Sequence, residues 1–513
     1  MKTKLFIAIL FVATKIYAQE PADALRYSWL TQTGTARNQA IGGAGGSLGG
    51  EFSTMFMNPA GIGFYKTSEF VFTPAVSLQK NKSAYIGTSA SASKSNFNLG
   101  TTGFLFSLPD YKNSKIRNYT IGLGINRAAD FNSNIFYRGT NNKSSYSEKY
   151  LEELVNNNVT DPNNAANDFP FGSSLALNTY IIDTTEAADG SVSGYKSLAN
   201  PSTGLNQQNT IRTSGGITDI ALAGALNLKD KLFFGASLTV PVLNYDRTNI
   251  FKESDATAST TNNFNYFEVT ETLETKGYGV NGKVGLIYKP VEYVRVGLAF
   301  HSPTFYELTD KYTTSITSDV EGYGGGDRVK TQASGVFTND LPGELKYNLT
   351  TPWRAIASAS YVFREIENVK KQRGFITADV EYVNYKSSSF TAIDENADTK
   401  NYFKDLNAVI HQQYKSAFNF RLGGELKFNT LMFRLGGAYY SNPYKNKEND
   451  KGSRVKLGGG LGYRDKGFFV DLTYVYAINK DVHYPYRLEE NSFDKASIKN
   501  NVGNIVATVG FKL

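Results

Sequence analysis

Between residues 417 and 428 apolar and polar positions alternate without a slip. Phe418, Phe420, Leu422, Gly424, Leu426 and Phe428 share one face; Asn419, Arg421, Gly423, Glu425 and Lys427 share the other. Asn429-Thr430 turns the chain, and Phe433, Leu435, Gly437 and Tyr439 resume the apolar face. Val455, Leu457, Gly459, Leu461 and Tyr463 repeat it, followed by Phe468, Val470, Leu472, Tyr474 and Tyr476. A period of two is the period of a β-strand. An aliphatic and aromatic face backed by small and charged residues suits a strand with lipid outside and a polar lumen inside. A soluble β-sandwich would turn the same face inward, and periodicity alone does not separate the two. Strand length, aromatic strand ends and the leader described below favour the transmembrane barrel.

The pattern predicts strands near 69–80, 94–108, 118–140, 214–228, 231–245, 262–289, 294–310, 345–363, 373–388, 414–428, 431–441, 453–465, 467–479 and 501–513. That is about 14 antiparallel strands, an even number, as a single-chain barrel requires. Short connections (229–230, 290–293, 429–430, 465–466) alternate with long ones (141–213, 311–344, 389–413, 480–500). The expectation is short turns in the periplasm and long loops outside the cell. The last strand carries Ile505, Ala507, Val509, Phe511 and Leu513 on one face and ends with the chain.

Composition narrows the picture. The 513 residues include no Cys, which excludes a disulfide scaffold and thiol chemistry. The 34 Phe and 33 Tyr against 2 Trp suit strands better than helical bundles. A net charge of +7 is too small and dispersed to argue for nucleic acid. Residues 1–18 read as a signal peptide, with Lys2 and Lys4 before a short apolar core and Ile16-Tyr17-Ala18 at its end. No later apolar run is long enough for a transmembrane helix. Residues 19–66 differ from the rest: Gly42-Gly43-Ala44-Gly45-Gly46, Gly49-Gly50 and Asn58-Pro59-Ala60-Gly61 are too glycine-rich for a lipid-facing strand. Leu25, Tyr27, Trp29, Phe52, Met55 and Phe56 are costly to leave in water, so this segment is expected to be a plug packed inside a barrel spanning 67–513.

Gly34-Thr35-Ala36-Arg37, the 42–50 glycine run and Asn58-Pro59-Ala60-Gly61, just before the first strand, resemble the FadL/TodX family of outer-membrane transporters. Leu238-Thr239-Val240-Pro241, residues 279–290 and residues 295–304 extend the resemblance, which spans about Gly34 to Leu513. It implies a 14-stranded barrel with an N-terminal hatch containing Gly42, Gly43, Gly45, Asn58, Pro59, Ala60 and Gly61. It also implies passive uptake of long-chain fatty acids or hydrocarbons, with sideways exit beside a kinked third strand. The predicted third strand does lose its alternation at Arg127-Ala128-Ala129-Asp130 and regains it at Phe131.

In the loop 141–213, Ser145 to Glu148 forms a capping-box pattern, and Tyr150, Leu151, Leu154 and Val155 follow on one helical face. By the resemblance, this face with Phe169 and Phe171 is a landing site for hydrophobic substrate; alternatively it packs on its own loop. Gly45-Gly46-Ser47-Leu48-Gly49 matches a nucleophile elbow, but without a strand-turn-helix context. Gly277-Tyr278-Gly279-Val280-Asn281-Gly282 opens a strand, not the helix a dinucleotide motif needs. His301, His411 and His483 lack metal-ligand spacing. No enzyme, cofactor or metal is therefore expected. Lumen-facing charges (Asp219, Lys283, Arg295, Arg354, Asp379, Glu381, Arg421, Glu425, Arg434) are expected to pair across strands and hold the plug. The expected partners are a hydrophobic small molecule, outer-membrane lipids and, during biogenesis, the barrel-assembly machinery. The alternative function is a non-transporting subunit of a stable outer-membrane secretion or barrel-assembly complex.

Overall fold

The computed structural model describes residues 21–109, 115–257, 259–363, 373–445, 452–489 and 491–513; the expected signal peptide lies outside them. The chain forms a closed, antiparallel barrel of 14 staves. Six staves are interrupted, so each of these is built from two strands. The first stave is β1 (Glu69–Phe72) and β2 (Pro74–Tyr85), and the second β3 (Thr88–Leu99) and β4 (Thr102–Pro109). The third is β5 (Ile116–Asp130) and β6 (Ser133–Asn141). A long loop carries α3 (Glu148–Asn156), α4 (Pro162–Asn167), α5 (Ser173–Asn178) and the hairpin β7 (Ile182–Glu186) and β8 (Val192–Ser197). Then come β9 (Leu205–Leu228), β10 (Leu232–Asp255) and β11 (Tyr266–Val291), the three longest strands. β12 (Val294–His301) and β13 (Phe305–Asp319) form the seventh stave, with β14 (Val329–Ala333) added at the tip of β13 and α6 (Gly335–Thr338) after it. β15 (Gly343–Thr350) and β16 (Arg354–Phe363) form the eighth, and β17 (Gly374–Asn384) and β18 (Ser389–Ala392) the ninth. The helix α7 (Ala397–Gln413) precedes β19 (Ser416–Phe428), β20 (Leu431–Tyr440), β21 (Ser453–Asp465), β22 (Phe468–His483) and β23 (Ala496–Lys512). β23 closes the barrel by pairing with β22 on one side and with β1 and β2 on the other.

The strands run well past the lengths read from sequence, and their alternation changes phase part-way up. In β10, Phe234, Leu238 and Val240 point outward and are exposed, while Ser237 and Thr239 point inward. Beyond Pro241 the phase inverts: Leu243, Tyr245 and Phe251 are buried inside and Asn244 and Asp246 face out. β11 does the same, with Tyr278, Val280 and Val284 outside below and Phe267, Val269 and Leu273 inside above. The outward apolar side chains form a belt around the barrel that water cannot solvate cheaply, and a closed barrel with such a belt belongs in a bilayer. The phase change marks the edge of that belt. Above it the barrel is built like a water-soluble one, with an apolar interior.

Two connections differ from expectation. Residues 81–93 are strand rather than loop, and β2 turns into β3 at Ile86-Gly87, whose φ values of 42° and 75° suit a tight hairpin. Residues 397–413 are helical: Thr399, Phe403, Leu406 and Ile410 are buried at helical spacing, and Asn396 caps the helix. The short-turn end follows expectation, with Lys229 and Asp230 both at positive φ.

Pro21 to Tyr65, including α1 (Pro21–Arg26) and α2 (Ala36–Ala40), contacts the inward faces of the wall strands. Its backbone comes so close that wall glycines are required: a Cβ on Gly235 would lie 2.3 Å from the Ala60 nitrogen, and one on Gly423 2.2 Å from the Ile41 oxygen.

Candidate functional site

The break expected in the third stave is a β-bulge with one extra residue. Arg127 pairs with Thr218 and Ala129 with Ile217, leaving Ala128 without a partner on β9. The stave then continues through Phe131, whose N–H donates to the Gly215 carbonyl (3.0 Å), into β6, which stays paired with β9. On its other side the ladder fails. β4 and β5 pair from Pro109–Asn118 up to Thr102–Ile125, and beyond that no backbone pairing joins β3 to β6 among the described residues. β6 instead leans across the inner face of β2: Asn81 Nδ2 donates to the Asn134 carbonyl (2.5 Å) and the Ser83 hydroxyl to that of Phe136 (2.5 Å). The result is a seam in the barrel wall bridged by side chains. Asn96 donates to Asp130 (2.8 Å), Lys94 to the Thr213 carbonyl (2.7 Å) and Asn134 to the Ser93 carbonyl (3.2 Å). Arg127 holds the bulge from the other side through the Gly215 carbonyl (2.6 Å).

Inside the seam the lumen has two parts. On the side of the phase change away from the long loops it is polar and ionic. Arg421 lies between Asp379 (3.5 Å) and Glu381 (3.1 Å), and Arg434 between Glu425 and Asp471 (2.6 Å each). Arg37 of the N-terminal segment joins this network through Glu425 (3.0 Å). Lys283 faces Asp219 (3.8 Å), Arg354 reaches Glu381 (3.9 Å), and Arg295 donates to the Leu48 carbonyl. The nine lumen-facing charges thus pair across strands or grip the N-terminal segment. Asn58 does the same work from the segment's side. Its Oδ1 accepts from Ala60 N (3.2 Å) at the start of the turn Pro59–Phe64, and its Nδ2 donates to the Gly46 (2.6 Å), Leu286 and Leu298 carbonyls (3.3 Å each). Gly61 closes the turn onto the Asn58 carbonyl (2.9 Å). Gly42 and Gly43 take φ of 68° and 74°, and a Cβ on Gly45 would press on Met57.

Toward the long-loop end the lumen becomes apolar. Tyr27 and Leu25 pack with Ala128, Phe131, Tyr245 and Leu308, under a lid made by Phe403, Leu406 and Ile410 of α7. Between the two parts lies a cavity of 80 Å³ reaching from Asn126 and Ala128 at the bulge to Lys283, His301 and Arg354. That holds two or three waters at about 30 Å³ each, whereas ligand sites run to several hundred Å³. This cavity is too small for a fatty-acid-sized molecule.

Of the loop residues singled out from sequence, Leu151, Leu154 and Phe169 lie apart from the bulge, in a second cluster. Leu154 is fully buried with Tyr146, Tyr150 and the strand-top residues Phe251 and Phe267; Leu151 and Phe169 pack at its margin. Phe171 sits against Tyr312, with ring centroids 5.8 Å apart. Val155 is 71% exposed and points away from this core. Half of the capping box forms, the Glu148 carboxylate accepting from Ser145 N (3.2 Å) while the Ser145 hydroxyl turns to Glu253. Lys149 faces Glu271 (3.5 Å); burial lowers its pKa, but Glu271 together with Tyr150, Tyr312 and Glu153 outweighs burial and holds the ammonium above the usual lysine range. The functional features that the sequence reading missed are α7 and the unpaired edge of β3. The spacing of Phe403, Leu406 and Ile410 carried the signal for the first.

No protein-family model matches the chain, and no curated protein matches it in sequence. Solved structures do. A FadL homologue of Pseudomonas aeruginosa is similar over 94% of this chain and 99% of its own, at 14% identity and a TM-score of 0.52. The toluene transporter TbuX of Ralstonia pickettii covers 93% and 98% at 14% identity, with a TM-score of 0.51. The toluene transporter TodX of Pseudomonas putida covers the same shares at 14% identity, with a TM-score of 0.50. The barrel has the fold of the FadL-type channels. At such low identity the likeness is one of fold.

Proposed function

We propose that this protein is an outer-membrane channel for passive uptake of hydrophobic small molecules, long-chain fatty acids or hydrocarbons. Substrate leaves sideways through the seam between β3 and β6, and Pro21 to Tyr65 serves as the plug. The observation that carries this reading is the loss of the β4–β5 ladder at Thr102–Ile125, just before the bulge at Ala128. An intact barrel wall admits nothing to the bilayer; a wall bridged, among the described residues, by the side chains of Asn96, Asn98, Lys94 and Asn134 can open without breaking a backbone ladder. The apolar lumen beside it, with Phe131 and Tyr245 in edge-to-face contact at 5.4 Å, offers a hydrophobic molecule a surface to follow. The toluene transporters among the structural neighbours support the substrate class. Leu151, Val155, Phe169 and Phe171 form the outer landing surface, of which Val155 is the most exposed part, and the buried Leu154 supports it from beneath.

Deleting Ala128 tests the exit. Every residue from Ala129 onward keeps its partner on β9, so the barrel should fold and stay heat-modifiable on gels. Without the bulge the stave straightens toward β3, and uptake of a fluorescent long-chain fatty acid should fall to that of cells lacking the protein. Unchanged uptake by the folded deletion variant would remove the lateral exit. A stoichiometric partner retained in mild detergent would then favour a complex subunit.

A further inference from the structure

Three strands that meet at the barrel closure carry lysines in one row. Lys82 on β2 pairs with Lys499 on β23, and Lys499 pairs in turn with Lys480 on β22. All three face outward and are exposed, and Lys80 lies beside them, two residues nearer the belt. Neighbouring strands are about 4.8 Å apart, so three ammonium groups start within about 10 Å of one another. None of the four makes a hydrogen bond or ion pair with a described residue, and their outward neighbours on β3 are Ser91 and Ser93. Like charges directly opposite across a sheet destabilise it.

The far wall shows the alternative arrangement at a comparable position. There Glu274 on β11 pairs with Lys311 on β13, and Lys311 with Glu344 on β15. Lys276 joins Glu274, and Lys346 lies 3.6 Å from Glu344. The chain therefore neutralises this outward row with its own carboxylates, and leaves the row at the closure wholly cationic.

Position identifies the missing anion. In register order, the last apolar outward row is Leu78, Gly503 and Tyr476, with the Tyr474 hydroxyl lying over Gly503. The lysine row is four residues further along, about 13 Å of strand and less in height because barrel strands tilt. Lysine stems snorkel back toward the interface and cover the remaining distance. We propose that Lys80, Lys82, Lys480 and Lys499 bind the phosphate of an outer-leaflet lipid headgroup, tying the closing strands to the membrane surface. Clustered lysines beside a membrane-spanning segment recognise anionic lipid in this way. The inference rests on the proposed outer-membrane placement, but the Ala128 deletion probes uptake and leaves this row untouched, so the two readings fail separately.

The test uses the full-length barrel in a non-ionic detergent, with phosphatidic acid or phosphatidylcholine added in mixed micelles. Retention is read by native mass spectrometry and stability by the temperature at which the gel mobility shifts. Wild-type protein should retain phosphatidic acid and melt several degrees higher with it, and phosphatidylcholine should do neither. K82Q/K480Q/K499Q should bind phosphatidic acid on the order of a hundredfold more weakly, about fivefold for each lysine. Without lipid it should melt higher than wild type, because the opposed charges are gone; a merely structural row would not give that gain. The proposal is overturned if K276Q/K311Q/K346Q on the far wall weakens binding as much, or if wild type gains nothing from phosphatidic acid. Equal protection by inorganic phosphate would show a free-anion site and overturn the lipid assignment.

Discussion

The wall from β19 to β23 and the wall around β3 to β6 belong to one barrel and are held by different forces. In the first, pairing runs without a register shift from Phe428–Leu431 through Asp465–Phe468 to Phe468–Phe511. Behind it Arg434 is clamped between two carboxylates and Arg37 ties the N-terminal segment to the same Glu425. In the second, β3 keeps one ladder, with β2, and meets β6 only through side chains. No residue of β3 is buried. A barrel that, as proposed above, stays closed and yet lets a molecule pass through its side would concentrate cooperative structure in one arc and thin it in another.

Breaking the strong arc should give the largest effect. Glu425→Ala removes the carboxylate shared by two buried arginines, leaving Arg434 with Asp471 and Arg37 with Glu51, and losing one partner of a buried ion pair costs about 3–5 kcal/mol. We expect the folded, fast-migrating gel band to disappear at a clearly lower temperature, with the N-terminal segment becoming open to protease. Loosening the thin arc should cost less and change function more. Asp130→Ala removes the acceptor used by Asn96 and Asn98, a loss of about 1–2 kcal/mol for partly buried hydrogen bonds. Fatty-acid uptake should rise in that variant while the melting temperature falls slightly; a fall in uptake without loss of folded protein would mean that Asp130 guides substrate rather than latches the seam. The smallest effect belongs to the outer loop. Val155→Ser alters a residue 71% exposed, so stability should move by less than about 0.5 kcal/mol. Uptake at low substrate concentration should nevertheless decline if this surface gathers substrate. By contrast Leu154→Ala, inside the loop core, should cost about 2–5 kcal/mol locally, seen as faster hydrogen exchange of α3.

Much of the barrel is legible in the chain itself. In 417–428 the period of two assigns every side chain to lipid or lumen, because a strand in a bilayer has only those two environments and each excludes the other's chemistry. The glycines at 42–50 announce close backbone packing for the same reason, since they offer no area to bury. Arg127-Ala128-Ala129-Asp130 likewise showed where alternation stops, though not that a single residue, Ala128, is the surplus, because two small residues in sequence fit either face. What alternation could not show is where its phase inverts. Pro241 separates an outward Val240 from an inward Leu243, and the local pattern reads as strand on both sides. The seam and the lysine row were decided by tertiary structure alone. Lys82 and Lys499 are separated by most of the chain, and only the register of the closing pair makes them neighbours. The sequence pattern marks β3 as strand only from residue 94, and β3 lacks a second partner because a bulge on the next stave turns β6 inward. A sequence specifies what each strand can face; which neighbour it meets, and at what offset, is set by the closure of the whole sheet.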